Sequence, residues 1–325
     1  MVRALIQRDK KSPPAWEDVR EDEFPAEAVT VRVTHSALNY KDALALTGRA
    51  PIFRAFPMVG GVDLAGVVTA DASATYAPGV QVLATGHGLG EAHWGGYAQL
   101  ARLRPEWLIP IPTGLSPLEA MTIGTAGLTA MLSVLALERF GITKDDGPIL
   151  VTGATGGVGS LAVLLLGKRG FHVVAATGRP QQEGAYLSAL GAAEIMDRAE
   201  LELEPKPLAK ERWAAAVDVL GGRALANVLS GLRYGGAVAA SGLAQSMSLP
   251  ATVAPFILRN VSLLGVDSVA LSRPRREEAW AQLAHVVSGG LLDPIRSLRS
   301  FSDVQSLARD LLDQKARGRI VLAWS

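Results

Sequence analysis

A chain of 325 residues, 49% hydrophobic and 19% charged, is long enough for two packed cores. A net charge of +1 indicates no nucleic-acid and no anionic-membrane partner, although local basic clusters remain available to a polyphosphate ligand. There is no cysteine, which removes disulfides, a thiol nucleophile and every Cys-based zinc site. The histidines (His35, His87, His93, His172 and His285) form no H-x-x-x-H or H-E-x-x-H spacing, so no metal is expected.

The opening segment MVRALIQRDKKSPP is charged and lacks a signal-type apolar core. Apolar stretches elsewhere are read as broken by Gly, Pro or charge short of the roughly 18 residues a span requires. The expectation is a soluble cytoplasmic protein.

Up to about Thr113 the chain carries short alternating or β-branched runs, at 29–38, 58–70, 79–86 and 96–103. Gly and Pro punctuate them, the mark of a compact β body. A helix is predicted over 116–140, with Ser116 as cap, Pro117 as first helical residue and Gly141 as stop. From Pro148 the texture changes. Apolar strands at 148–153, 172–178, 193–197, 216–220 and 237–242 alternate with helical stretches, including 160–170 and 181–191. Near-continuous apolar strands in that alternation predict a parallel sheet covered on both faces. Two further helices are predicted around 275–288 and 302–315. The closing strand, RIVLAW at 319–324, is expected to return to the N-terminal β body.

The strongest chemical signal is VTGATGGVGS at 151–160, placed between a predicted strand and a predicted helix. Glycines there let the backbone turn and approach a pyrophosphate, whose charge meets exposed N–H groups and the helix dipole. The next strand ends Ala175-Ala176-Thr177-Gly178-Arg179, without the carboxylate that would bind a ribose 2′-OH. Arg179 can instead pair with a 2′-phosphate, with Thr177 offering a hydroxyl and Lys168 and Arg198 as further cations. NADP is therefore expected over NAD. Arg179 capping the next helix is the competing reading.

In the β domain Asn39, Tyr40, Lys41 and Asp42 form a polar cluster directly after a strand. Tyr40 can donate a proton or orient a nicotinamide, with Asp42 holding it; equally, Tyr40 fits half-buried core and Lys41–Asp42 a solvated helix start. The loop at 86–101 contains Glu91, His93 and Trp94, which suit either a substrate wall or a loop pinned by Trp94. Thr125 and Thr129, spaced i, i+4, share a helix face suited to close approach of a cofactor or to tight packing.

Together LNYKDAL, FPMVGGVDLAG, GEAHWGGYAQ, IGTAGLTAMLSVLALE, VTGATGGVGS, TGRP, LGAAEIMDR, SGLAQ, LPATVAPFILRNVSLLGVDSV and GRIVL run in order through essentially the whole chain. In them the sequence resembles the acryloyl-CoA reductase branch of the zinc-free, quinone-oxidoreductase-like medium-chain dehydrogenases/reductases. The resemblance implies an α/β chain with a GroES-like β-rich substrate domain at 1–121 and 266–325 and a doubly wound Rossmann domain at 122–265. It implies NADPH held by Tyr40, Thr155, Gly156, Gly157, Val158, Thr177, Gly178, Arg179, Arg198, Leu243, Ile257 and Ser268. It further implies reduction of acryloyl-CoA to propionyl-CoA. For that chemistry the polar cluster offers Tyr40, Asp42 and Asn39 as candidate catalytic residues, with Tyr40 or a bound water as donor to the α-carbon. CoA phosphates would need Arg or Lys, for which Arg49, Arg54 and Arg104 are candidates. The apolar stretch 249–266 is expected to act as an edge strand, paired across a two-fold axis in a homodimer by the resemblance; the competing reading is a monomer in which a helix of the same chain covers that edge. The alternatives are an NADPH-dependent quinone or enone reductase and a non-catalytic NADPH-binding sensor.

Overall fold

The structure, a computed structural model, describes residues 1–287 and 289–324. Ser288, the last residue of the helix expected at 275–288, lies outside the described residues. The chain divides into two compact units, Met1–Thr125 with Ser268–Ser325, and Ala126–Asp267.

The first unit opens with strands β1 (Val2–Gln7), β2 (Ala15–Val19) and β3 (Val29–Leu38), then helix α1 (Tyr40–Thr47). Strands β4 (Met58–Val59), β5 (Asp63–Asp71), β6 (Gln81–Thr85), β7 (Leu100–Leu103) and β8 (Ile109–Pro110) follow. The alternation in VTVRV turns Val29, Val31 and Val33 into the core, which is why this stretch forms a strand buried on one face. Helix α2 (Pro117–Phe140) starts where Ser116 and Glu119 bond reciprocally, Ser116 N and Oγ donating to the Glu119 carboxylate and Glu119 N donating to Ser116 Oγ. It stops at Gly141, whose φ of 106° ends the helical path. The expected continuous helix is in fact broken at Gly124 (φ 50°, ψ −156°), giving two helical runs. By length and composition this 24-residue segment is apolar enough to cross a membrane, contrary to the sequence expectation. Yet 89% of its apolar window is buried in the protein, so its hydrophobicity is consumed by packing.

The second unit holds β9 (Ile149–Val151), α3 (Gly157–Lys168), β10 (Val173–Thr177), α4 (Pro180–Ala189), β11 (Glu194–Asp197), β12 (Trp213–Asp218), α5 (Gly222–Gly231), β13 (Leu232–Ala240), α6 (Ala254–Arg259) and β14 (Ser262–Gly265). The six strands are all parallel, in the order β11-β10-β9-β12-β13-β14. This is the doubly wound order in which the chain reverses direction across the sheet between β9 and β12. Every residue of β9, β10 and β12 is buried, as strands covered on both faces must be. The stretch 249–266 departs from the long edge strand expected of it. Residues 254–259 coil into α6, and only the four residues of β14 pair with the sheet.

Returning to the first unit, the chain adds α7 (Arg273–Val286), β15 (Arg296–Ser300), α8 (Val304–Leu312) and β16 (Arg319–Ala323). Strand β16 pairs antiparallel with β3, Ile320 opposite Leu38, so the closing strand does join the N-terminal sheet. The result is a seven-stranded sheet, β15-β16-β3-β5-β6-β8 with β7 also on β3, beside a three-stranded sheet β2-β1-β4.

Candidate active site

In the Rossmann unit the glycine loop lies between β9 and α3, and each glycine answers a different demand. Gly153 makes the turn at φ 57°, a conformation that side chains disfavour. A Cβ on Gly159 would lie 2.2 Å from the Gly153 carbonyl oxygen and 2.7 Å from Ala154 Cα, so α3 can pack this close only through glycine. Gly156, at the mouth of the helix, faces open space apart from the Gly153 oxygen at 3.3 Å. Beyond it the N–H groups of the first turn of α3 have no helical acceptor, which makes the turn a receptacle for an anion. Beneath, the buried Thr152 hydroxyl donates to Asp218 Oδ1 at 2.7 Å, tying β9 to β12 at the switch point. Burial raises the Asp218 carboxyl pKa.

Two strand ends along, Thr177 sits beside Asp197 in the β10–β11 register, so Arg179 and Arg198 leave the same edge of the sheet. The Arg198 guanidinium lies against Gly178, 3.2 Å from where a Cβ would stand. Arg179 reaches Glu183 at 3.3 Å and Arg198 reaches Glu202 at 2.9 Å. Thr177 Oγ1 accepts from Arg179 N at 3.2 Å and is itself buried. At the ends of β13 and β14 a cleft of about 510 Å³ is lined by Ala240–Leu243 and Gly265–Asp267.

In the β-rich unit the polar cluster has a different logic from its sequence. Asp42 is 3% exposed, and its two oxygens accept from the backbone N–H of Asn39 and of Val62, both at 2.9 Å. Burial pushes its carboxyl up to about 7, while the Asn39 N–H opposes the shift. Asn39 spends both ends of its amide inside: Oδ1 accepts from Arg319 at 2.8 Å and Nδ2 donates to Asp63 Oδ2 at 2.9 Å. Asp63, fully buried, also accepts from the backbone N–H and the hydroxyl of Thr125. Arg319, 2% exposed, completes the knot through Asp63 Oδ2 at 3.4 Å and the Thr122 carbonyl at 3.0 Å. Tyr40, first residue of α1, stands out from this buried frame at 45% exposure.

Comparison with known proteins follows the same two units. Residues 25–113 match the alcohol dehydrogenase GroES-like domain and residues 157–287 the zinc-binding dehydrogenase family. The acrylyl-CoA reductase AcuI of Ruegeria pomeroyi is 44% identical over 99% of each chain. The chain belongs to the acrylyl-CoA reductase branch of the medium-chain dehydrogenase/reductase superfamily. Among solved structures, the yhdH oxidoreductase of Salmonella enterica, crystallised with NADP, superposes on this reductase with a TM-score of 0.96 at 45% identity, covering all of both chains. Protein yhfP of Bacillus subtilis, crystallised with NAD, superposes at 0.94 and 39% identity over 99% of each.

This reductase has no cysteine, and among the described residues no group of three His, Cys, Asp or Glu side chains is placed to hold a metal.

Of the residues singled out in the sequence, Thr155, Gly156, Gly157 and Val158 gather at the start of α3, and Thr177, Gly178, Arg179 and Arg198 at the neighbouring strand ends. Leu243 and Ile257 are 57% and 73% exposed, while Ser268 is buried in the β-rich unit with its carbonyl accepting from Arg276. Lys168 does not join them. It closes α3, some 16 Å along the helix from the loop. Asn39 and Asp42 are committed to the fold of α1, and Thr125 to Asp63. Lys41 and Arg54 both grip Glu91, at 2.8 and 2.7 Å, and Trp94 Nε1 donates to the Pro57 carbonyl, so the 86–101 loop is pinned by its own residues. Asp63 and Arg319 escaped sequence reasoning altogether; the Gly-Arg-Ile-Val-Leu run shows only a strand.

Proposed function

We propose that this chain reduces the C=C bond of a short α,β-unsaturated acyl-CoA with NADPH, with acryloyl-CoA to propionyl-CoA as its reaction. The observation that carries the cofactor choice is the pair of guanidiniums at the ends of β10 and β11, where an NAD enzyme places a carboxylate. The relatives named above support the acyl-CoA substrate.

The N–H groups from Gly156 to Val158 would hold the pyrophosphate, Arg179 and Arg198 the 2′-phosphate, Thr177 and Gly178 the adjoining ribose. Leu243, Ile257 and Ser268 would line the remainder. When bound, NADPH supplies the hydride for the β-carbon of the thioester. Charge then develops on the thioester oxygen, and with no fitting metal ligands it must be met by backbone N–H groups and hydroxyls. Tyr40, 45% exposed on the first turn of α1, is the protein's proton donor for the α-carbon. Asn39 and Asp42 are positioning residues in this scheme: they fix that turn from below and do not touch substrate.

We also propose a cytoplasmic homodimer. The support is β14, which ends the parallel sheet with one side unpaired and Leu263 38% exposed. The function is tested by NADPH oxidation with acryloyl-CoA, crotonyl-CoA and a benzoquinone in parallel. Preference for the thioesters is expected; turnover of the quinone alone would assign the enzyme to quinone reduction instead.

A further inference from the structure

In the Rossmann unit α3 and α5 begin alike, each after a glycine turn at the end of a central strand, β9 for α3 and β12 for α5. Their first turns are used differently. At α3 that turn is left open to an anion. At α5 the N–H of Ala224, the third helical residue, donates to Gln245 Oε1 at 3.2 Å. A donor of the kind that α3 offers to a pyrophosphate is therefore satisfied from within the chain.

Gln245 belongs to a strap, residues 241–246, moulded onto the turn between β12 and α5. Ser241 N donates to the Asp218 carbonyl at 2.9 Å, Ala244 N to that of Val219 at 3.2 Å and Gln245 N to that of Leu220 at 2.8 Å. The fit leaves no room for side chains on the facing glycines. A Cβ on Gly221 or Gly242 would run into the Ser246 or Val219 carbonyl oxygen, and one on Gly222 would stand 2.8 Å from Gln245 Oε1. Between these anchors Leu243 is 57% exposed. Ser241–Leu243 line the cleft at the ends of β13 and β14 together with Ala240 and Gly265–Asp267. That cleft belongs to the β12-β13-β14 half of the sheet, whereas the glycine loop and both arginines belong to the β11-β10-β9 half. Each half of a doubly wound sheet takes one mononucleotide, so the cleft falls to the nicotinamide side.

We propose that Gln245 is a positioning residue for the nicotinamide end of NADPH, an inference that rests on the reading of Leu243 as a cofactor contact. The residue does not touch the cofactor. Its amide couples the strap to α5, a helix whose Ala224, Leu225, Val228 and Leu229 are locked in the core, so the wall at 241–243 is held by the helix as well as by the strand end. Ala224 is fully buried, and removing the amide leaves its N–H without that acceptor. The strap must then shift, or water must enter, to meet it.

The decisive measurement sets the Kd of NADPH against that of adenosine 2′,5′-bisphosphate, which carries the adenine half alone, both by calorimetry. Two variants are compared with wild type: Gln245→Ala, and Gln245→Met, which keeps the length and loses the acceptor. In both, NADPH is expected to bind about two- to tenfold more weakly, the factor that corresponds to one hydrogen bond, with the bisphosphate unchanged. The emission of bound NADPH, which reports the surroundings of the nicotinamide, should move toward that of the free cofactor. Unchanged NADPH binding in both variants, or equal losses on both ligands, overturns the role; equal losses would make Gln245 a stabiliser of the whole unit instead. Leu243→Trp tests the underlying reading. If bulk placed there leaves NADPH binding unaltered, the cleft is not the nicotinamide site and the proposal falls with it. If it weakens NADPH while both Gln245 variants are silent, only the assignment of Gln245 falls.

Discussion

Replacing Arg319 by Met should be among the most destabilising single changes in the β-rich unit. The side chain is 2% exposed and makes three polar contacts, to Asn39 Oδ1, the Thr122 carbonyl and Asp63. Burial lowers the guanidinium pKa and Asp63 raises it again, so the pair offsets part of the cost of burying each charge. Methionine fills much of the volume but donates nothing. Asn39 and Thr122 then lose a donor at a cost of about 1 kcal/mol each, and Asp63 is left buried without its counter-charge. Breaking one side of such a pair costs roughly 3–5 kcal/mol, a large share of the 5–15 kcal/mol that typically holds a domain. Urea unfolding followed by tryptophan fluorescence reads this unit selectively, since five of the six tryptophans (all but Trp213) lie in it. The companion variant Asp63→Asn/Arg319→Met carries no unpaired charge and should lose less than the sum of the single changes. A single variant within about 1 kcal/mol of wild type, or strictly additive losses, would falsify the ion pair as the organiser of this site.

Four further outcomes follow from the same structure. Arg179→Ala should weaken NADPH by about one to two decades and NADH far less, because a charge-assisted phosphate contact is worth roughly 1.5–3 kcal/mol; equal losses in fluorescence titrations would sink the assignment. Gly159→Ala places a Cβ against the Gly153 oxygen and should cost about 1–3 kcal/mol of stability as well as cofactor affinity, whereas Gly156→Ala, which meets only the Gly153 oxygen at 3.3 Å, should lose chiefly affinity; identical thermal shifts for the two would contradict the division of labour within the loop. Burial holds the Asp42 carboxyl at about 7, above its unfolded value, so its stabilisation is full near pH 4 and disappears as pH rises through 7; relative to Asp42→Asn, the wild-type advantage should shrink by up to roughly 4 kcal/mol over that window, and parallel stability–pH curves would rule this out. Light scattering at micromolar concentration should give twice the 34.1 kDa chain mass, and Leu263→Lys should split or precipitate the dimer; a monomeric mass refutes it.

How legible a feature was in the sequence tracks how local its cause is. The loop at 153–159 declares itself because its glycines, the strand before it and the helix after it are contiguous. The end of β10 is equally local, since Thr177, Gly178 and Arg179 follow one another in the chain and stay together at that strand end. Lys168 was misplaced because proximity in sequence to the loop becomes a full helix length in space. The break at Gly124 left no local mark, since its cause is distant: a Cβ there would stand 2.5 Å from Asp63 and 2.6 Å from Arg319. Stretch 249–266 misled for the opposite reason. Its largely apolar composition suits a strand and a short exposed helix alike, and Pro255 at the start of α6 favours helix. Asn39 and Asp42 look catalytic in a list of residue types, and only the structure shows what engages them, Arg319 and Asp63 for Asn39 and the backbone N–H groups of Asn39 and Val62 for Asp42.

That Asp63 and Arg319 stand 256 residues apart also sets the order in which the molecule can mature during synthesis. The Rossmann unit is one uninterrupted piece of chain and can fold as soon as it clears the ribosome. The β-rich unit begins earlier and finishes later. At roughly 5–20 residues per second, the aspartate waits on the order of ten to fifty seconds for its arginine. Until β16 arrives, β3 presents an open edge and the carboxylate has no counter-ion, so the half-built sheet is the stage at which a chaperone or a neighbouring nascent chain finds its opening.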